Sequence, residues 1–145
     1  MKIEEYIKSL PNDIISGNDV QLPEYSFRKI FEFLNLNESD IFYHLGCGDG
    51  KGIKIALQEF HVKNAIGIDN NKEKIEQAKK LAEENNLKDG KFLCKDVLSA
   101  KIDNATAILF WFTDIEVIEK MKKRFEGLQD GCRIVTIWSP LPECL

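Results

Sequence analysis

Ile41-Phe42-Tyr43-His44-Leu45-Gly46-Cys47-Gly48-Asp49-Gly50 is the stretch that decides the fold of this chain. Its first half is a short apolar run, of the kind that forms a buried strand. Its second half sets three glycines in a G-x-G-x-G pattern. Ile53, Ala56, Leu57 and Phe60 follow at helical spacing. Strand, glycine turn and helix in that order bring free backbone N–H groups to a helix start. Glycine allows positive φ there and lets a ligand approach the main chain closely, which suits a carboxylate or a phosphate. The plainer reading of the same residues is a tight turn with no ligand.

Outward from this stretch the chain alternates. On the N-terminal side, Ile3, Tyr6, Ile7 and Leu10 follow helical spacing up to Pro11. Pro23 and Glu24 open a second helix with Phe27, Ile30, Phe31 and Leu34 on its inner face. On the C-terminal side, residues 65–69 read as a strand and 71–86 as a helix with Ile75, Ala78 and Leu81 inward. Residues 91–94 read as a third strand. Residues 105–112 form a fourth, apolar throughout and so buried on both faces. Val117, Ile118, Met121 and Phe125 mark a helix, and residues 132–138 a fifth strand. This alternation predicts an α/β fold, a doubly wound, mostly parallel sheet with helices on both faces. The whole of 1–145 is expected to be one domain, with 1–36 a helical segment and 37–145 the sheet.

Bulk properties exclude several classes. The chain has 145 residues, 43% hydrophobic and 30% charged, the balance of a globular protein. Its net charge of −4 argues against a broad nucleic-acid surface. No apolar run is long enough to suggest a membrane span. The N-terminus carries acids where a signal peptide would be apolar, so a cytoplasmic location is expected. Cys47, Cys94, Cys132 and Cys144 form no C-x-x-C pair, and His44 and His61 complete no zinc pattern, so no metal site is expected.

Ligands of such sheets bind beyond the carboxyl ends of the strands. Asp69 ends the second strand about twenty residues after the loop, where an acid accepts hydrogen bonds from ribose hydroxyls. Its plainer role is the N-cap of the helix starting near Asn71. Asp96 follows the third strand; it could accept the amine of an adenine with Val97 packed on the ring, or be a solvated turn residue. Phe110-Trp111-Phe112-Thr113-Asp114 closes the fourth strand, as a pocket wall or as core. His44, just before the loop, reads more readily as a hydrogen-bonded core residue than as a base.

Taken together these residues resemble the class I S-adenosylmethionine-dependent methyltransferases. The carrying motifs are Tyr43 to Gly50, Ile66-Gly67-Ile68-Asp69 and Lys95-Asp96-Val97, and the resemblance runs from about Leu22 to the end. The chain looks most similar to small archaeal protein-lysine methyltransferases and their mitochondrial lysine-methylating relatives. Those proteins place a Pro-Glu helix start, as at Pro23-Glu24, ahead of the glycine loop. The resemblance implies strand order 3-2-1-4-5 and S-adenosylmethionine as cofactor. It also implies a cofactor set of Gly46, Cys47, Gly48, Asp49, Gly50, Asp69, Asn70, Asp96, Val97 and Phe110, and lysine side chains of a protein as methyl acceptor. Members usually have an acid at His44, which helps order the loop and the methionine end of the cofactor. They often have a threonine at Leu22. They usually continue into strands 6 and 7, which this sequence lacks, as a minimal or a truncated form.

Other activities fit less well. A nicotinamide fingerprint is G-x-G-x-x-G, and Gly50 comes one residue early for it. Amide or adenine N-methylation usually uses an Asn-Pro-Pro-Tyr type motif, which Phe112-Thr113-Asp114 does not match. Metal-dependent O-methylation needs a second acid to partner Asp114, and Trp138-Ser139-Pro140 supplies none. Methyl transfer to lysine needs mainly alignment of two reactants, so no catalytic residue is assigned. A cofactor-binding or partner-binding module with little catalysis is the second expectation, motivated by His44 and the missing strands.

Overall fold

The computed structural model describes residues 22–112 and 114–136. The helix expected at residues 3–10, Thr113 and the end of the fifth strand lie outside them. Helix α1, Glu24–Phe33, starts behind Pro23, whose ring sets φ to −65°, and buries Phe27, Ile30 and Phe31. Strand β1, Ile41–Leu45, follows. Helix α2, Lys51–Glu59, buries Ile53 and Ala56. Then come β2, Asn64–Asp69, helix α3, Lys72–Glu84, and β3, Gly90–Cys94. A short 3-10 turn, Val97–Ser99, leads to β4, Ala107–Phe110, helix α4, Ile115–Glu126, and β5, Arg133–Thr136.

The strands form a single sheet in the order β3-β2-β1-β4-β5, with every neighbouring pair parallel. The expected order and fold class are therefore found. Alternation along β1 divides the core in two. Phe42 and His44 face α1 and α2, where Phe27, Phe31, Ile53 and Ala56 pack. Tyr43 and Leu45 face the layer of α4 and the 3-10 turn, with Val97, Ile118, Met121 and Phe125.

Strand β4 is shorter than the apolar run predicts. Its pairing with β1 runs from Phe42 opposite Ala107 to Leu45 opposite Phe110. Beyond Leu45 the chain turns at Gly46, so after the bond from the Trp111 N–H to the Leu45 carbonyl at 3.1 Å the pairing with β1 stops. Ala105 belongs instead to a turn, its N–H bonded to the Ile102 carbonyl.

The end of the sheet away from the loop is fastened by a buried acid. Asp40 is 3% exposed. It accepts from the Asn37 N–H at 2.9 Å, from Thr106 Oγ1 at 2.7 Å and from Arg133 Nη2. Burial alone would raise its pKa, yet the hydrogen bonds from Arg133, Thr106 and Asn37 hold it below the usual carboxylate value. Arg133 also donates to the Leu34 and Asn35 carbonyls. One guanidinium thus joins β5 to the segment between α1 and β1.

Candidate functional site

The loop after β1 is anchored to β2. The N–H groups of Gly46 and Cys47 both donate to the Ile68 carbonyl, at 2.7 and 3.2 Å. Gly46, Gly48 and Gly50 have φ of +88°, +55° and +88°. The requirement is strictest at Gly46: a Cβ there would lie 2.8 Å from the Trp111 carbonyl oxygen. That contact brings the end of β4 against the loop, so the first and fourth strands open onto one rim.

Cys47 is directed inward. A Cβ on Gly67 would meet its sulfur at 2.8 Å, so the absence of a side chain at residue 67 makes the room for it. Burial, with help from the Asp69 carboxylate, pushes the Cys47 thiol well above the ordinary range. It therefore stays protonated and serves as packing, not as a nucleophile.

Asp69 is the hub of the rim. Its Oδ2 accepts from the Gly48 N–H at 2.9 Å and its Oδ1 from the Asn71 N–H at 2.9 Å. It is not the cap of α3, because the Asn71 side chain fills that role by accepting from the Lys74 N–H. Each carboxylate oxygen retains a second lone pair for a ligand hydroxyl. Asp49 Oδ1 accepts from the Lys51 N–H at 3.3 Å, closing the loop onto the first turn of α2.

Asp96 stands on the next strand end. The Lys95 N–H donates to the Asp69 carbonyl at 3.0 Å, so the two acids leave adjacent strands side by side. Asn70 is exposed between them, its carbonyl 3.7 Å from the Cys94 sulfur. Asp96 caps the 3-10 turn by accepting from the Leu98 N–H at 3.0 Å. Val97 lies beneath, 4% exposed, in the core with Leu45, Ile68 and Phe110.

Phe110 is fully buried; it stacks on Phe112 with centroids 4.9 Å apart and meets Phe125 edge-on. Half-buried apolar side chains on the rim include Trp111, Phe112 and Leu98. From the sequence, Trp111 and Phe112 belong with Phe110 to a segment that is either pocket wall or core, and the cofactor set takes their neighbours Phe110 and Val97. An apolar run carries no mark of where a strand leaves its sheet, which is what separates these pairs. Asp114, considered above as a metal ligand, caps α4 by accepting from the Glu116 and Val117 N–H groups.

His44 lies beneath the loop, 1% exposed, with Phe27 edge-on at 5.7 Å. Among the described residues neither ring nitrogen has a hydrogen-bond partner, so the ring is packed in the core without the hydrogen bond expected of it, and burial lowers its pKa to about 3. The ring is therefore neutral and sealed away from the rim.

An adenosine-bearing ligand fits this donor set. The rim offers acceptors on adjacent strands, a loop with little side-chain bulk, and half-buried apolar side chains beside them. Known proteins agree. A family model described as a methyltransferase domain matches residues 37–126. A protein-lysine N-methyltransferase of Saccharolobus islandicus (strain REY15A) is 34% identical over 119 residues, 81% of this chain and 73% of that protein. An RNA methyltransferase of Salinibacter ruber, solved with S-adenosyl-L-homocysteine, superposes with a TM-score of 0.75 at 26% identity, covering 81% of this chain and 76% of that one. A geranyl diphosphate methyltransferase solved with S-adenosylmethionine shares the fold at a TM-score of 0.67 and 18% identity, covering 79% of this chain and 48% of that one. The chain belongs to the methyltransferase-domain family, as a class I S-adenosylmethionine-dependent methyltransferase.

Proposed function

We propose that this methyltransferase acts on lysine side chains of a protein. The observation that carries this reading is the similarity to the Saccharolobus protein-lysine N-methyltransferase, 34% identical over 81% of the chain. The net charge of −4 supports a protein acceptor over a polyanionic one.

S-adenosylmethionine, when bound, supplies an electrophilic methyl group on a sulfonium. The chain's own residues hold and orient the reactants. Asp69 accepts from the ribose hydroxyls while keeping Gly48 in place. Asp96 accepts from the adenine amine, and Asn70 lies between the two acids. Gly46 to Gly50, with Asp49 and Cys47 shaping the turn, offer backbone N–H and carbonyl groups to the amino-acid end. Val97 and Phe110 support the pocket floor. Trp111 and Phe112 border the side from which an acceptor amine approaches. The lysine must lose its proton before it attacks, and neither buried His44 nor the protonated Cys47 can take it. In this reading solvent accepts the proton, and catalysis rests on alignment.

The test uses S-adenosylmethionine carrying a labelled methyl group and a whole-cell lysate, with the label followed into protein and RNA fractions. Label in protein, mapped to lysine by mass spectrometry, is the expected result. Label confined to RNA would overturn the lysine reading. Tight binding with no transfer to any fraction would make the protein a binding module.

A further inference from the structure

Arg124 lies in the last turn of α4, where its Nη1 also donates to the sulfur of Met121 at 3.6 Å, and its guanidinium reaches from there to the neighbouring 3-10 turn. Nη1 donates to the Val97 carbonyl at 2.6 Å, and Nη2 donates to the Ala100 carbonyl. These carbonyls flank the 3-10 turn that Asp96 caps. The turn is three residues long. Its internal bonds run from the Ser99 N–H and the Ser99 hydroxyl to the Asp96 carbonyl, each at 3.0 Å, and from the Ala100 N–H to the Val97 carbonyl at 3.4 Å; none of them ties the turn to the rest of the fold, which the Arg124 guanidinium does. A planar guanidinium spanning both carbonyls fixes the turn in position and in orientation.

What the clamp holds is Asp96. One carboxylate oxygen of Asp96 is occupied by the Leu98 N–H. A carboxylate only accepts, so it favours a base that presents an amine at that point over one that presents an oxygen. Core packing joins α4 to the turn independently, through Ile118, Met121 and Phe125 against Val97, Ala100 and Ile102. Removing the guanidinium therefore frees the turn without emptying the core.

We propose that Arg124 is a positioning residue for base selection: by clamping the Val97 and Ala100 carbonyls it fixes Asp96 where it distinguishes a 6-amino from a 6-oxo purine. This rests on the reading of Asp96 as the acceptor of the adenine amine.

The test compares S-adenosylhomocysteine with S-inosylhomocysteine by calorimetry. The proteins are the wild type, Arg124→Met, Arg124→Lys and Asp96→Ala, each with its Tm. The wild type should prefer the adenosyl ligand by about tenfold or more, the loss of one good hydrogen bond to a charged group. Asp96→Ala should remove the preference. Arg124→Met should reduce it at least about threefold, and Arg124→Lys less, since an ammonium reaches one carbonyl at a time. A purely structural role would lower Tm and weaken both ligands equally. An unchanged ratio in Arg124→Met, or in Arg124→Lys if the first does not fold, would overturn the role of Arg124 alone. A wild type without preference, or an Asp96→Ala protein that keeps it, would overturn the Asp96 reading and this inference together.

Discussion

Both oxygens of Asp69 are engaged by backbone N–H groups, at Gly48 and at Asn71. An amide cannot copy this, because the NH2 of asparagine would face one of those donors. From the sequence, Asp69 reads as a ribose acceptor for which an amide oxygen would half suffice. Its second duty depends on Gly48 arriving over the end of β2, which spacing does not reveal. We expect Asp69→Asn and Asp69→Ala each to weaken S-adenosylhomocysteine binding by about tenfold to a few hundredfold. Calorimetry on folded variants checks this, and an asparagine variant within threefold of wild type would contradict it. His44 makes a different prediction. Its pKa is about 3 in the folded protein against 6.5 ordinarily. The unfolded chain gains a proton as pH falls through about 6.5, and the folded chain does not until about 3. Stability is thus whole above that window and is lost on descending through it, by about 2 kcal/mol between pH 7 and pH 5. Asp40, with its lowered pKa, keeps its contribution throughout that window and loses it only at more acid pH, below about 4. Urea midpoints at the two pH values should show the loss in the wild type and its removal in His44→Leu. A wild-type midpoint that does not move would show that His44 gains a proton or a partner in the folded state.

Among the elements, α1 to α4 are legible from a 3.6-residue period, and β1, β2 and β3 as short, largely apolar runs between turns and helices. What the period does not carry is where an element stops. The pairing of β4 with β1 ends where β1 ends, a fact that belongs to β1. Asp114 is a related case: it follows an apolar run as a metal ligand or a cap would, and only the N–H groups of Glu116 and Val117 decide between them. Asp114→Ala should cost about 1 kcal/mol of stability and Asp114→Asn much less, since asparagine caps nearly as well. Thermal melts of both variants check this, and equal losses would mean that the side chain does something other than cap. The helix it opens carries Ile118, Met121 and Phe125 into the core, so a fraying first turn would loosen that face of the sheet.

At the scale of the molecule, two apolar layers sandwich one parallel sheet, and the two ends of the sheet do different work. The carboxyl ends present the rim. The opposite end is closed by Arg133, Asp40 and Thr106, none of which stands out in the sequence because their meeting depends on β4 and β5 lying on the far side of β1. Removing the guanidinium leaves Asp40 buried with neutral donors only. Breaking a fully buried pair costs about 3 to 5 kcal/mol. Arg133 is about a third exposed, so a smaller loss of about 2 kcal/mol is expected for Arg133→Met. The urea midpoint should fall with the slope unchanged, and a midpoint equal to wild type would show the contact to be idle. The partners of this staple are far apart along the chain, Asp40 by 93 residues and Leu34 by 99. A chain made from its N-terminus holds the acid early and waits for the arginine until the fifth strand arrives. We expect this contact, closed by the fifth strand, to be absent from the folding transition state, so that its loss speeds unfolding and leaves refolding alone. Arg133 should therefore leave the speed of refolding almost untouched and govern how long the finished protein resists opening.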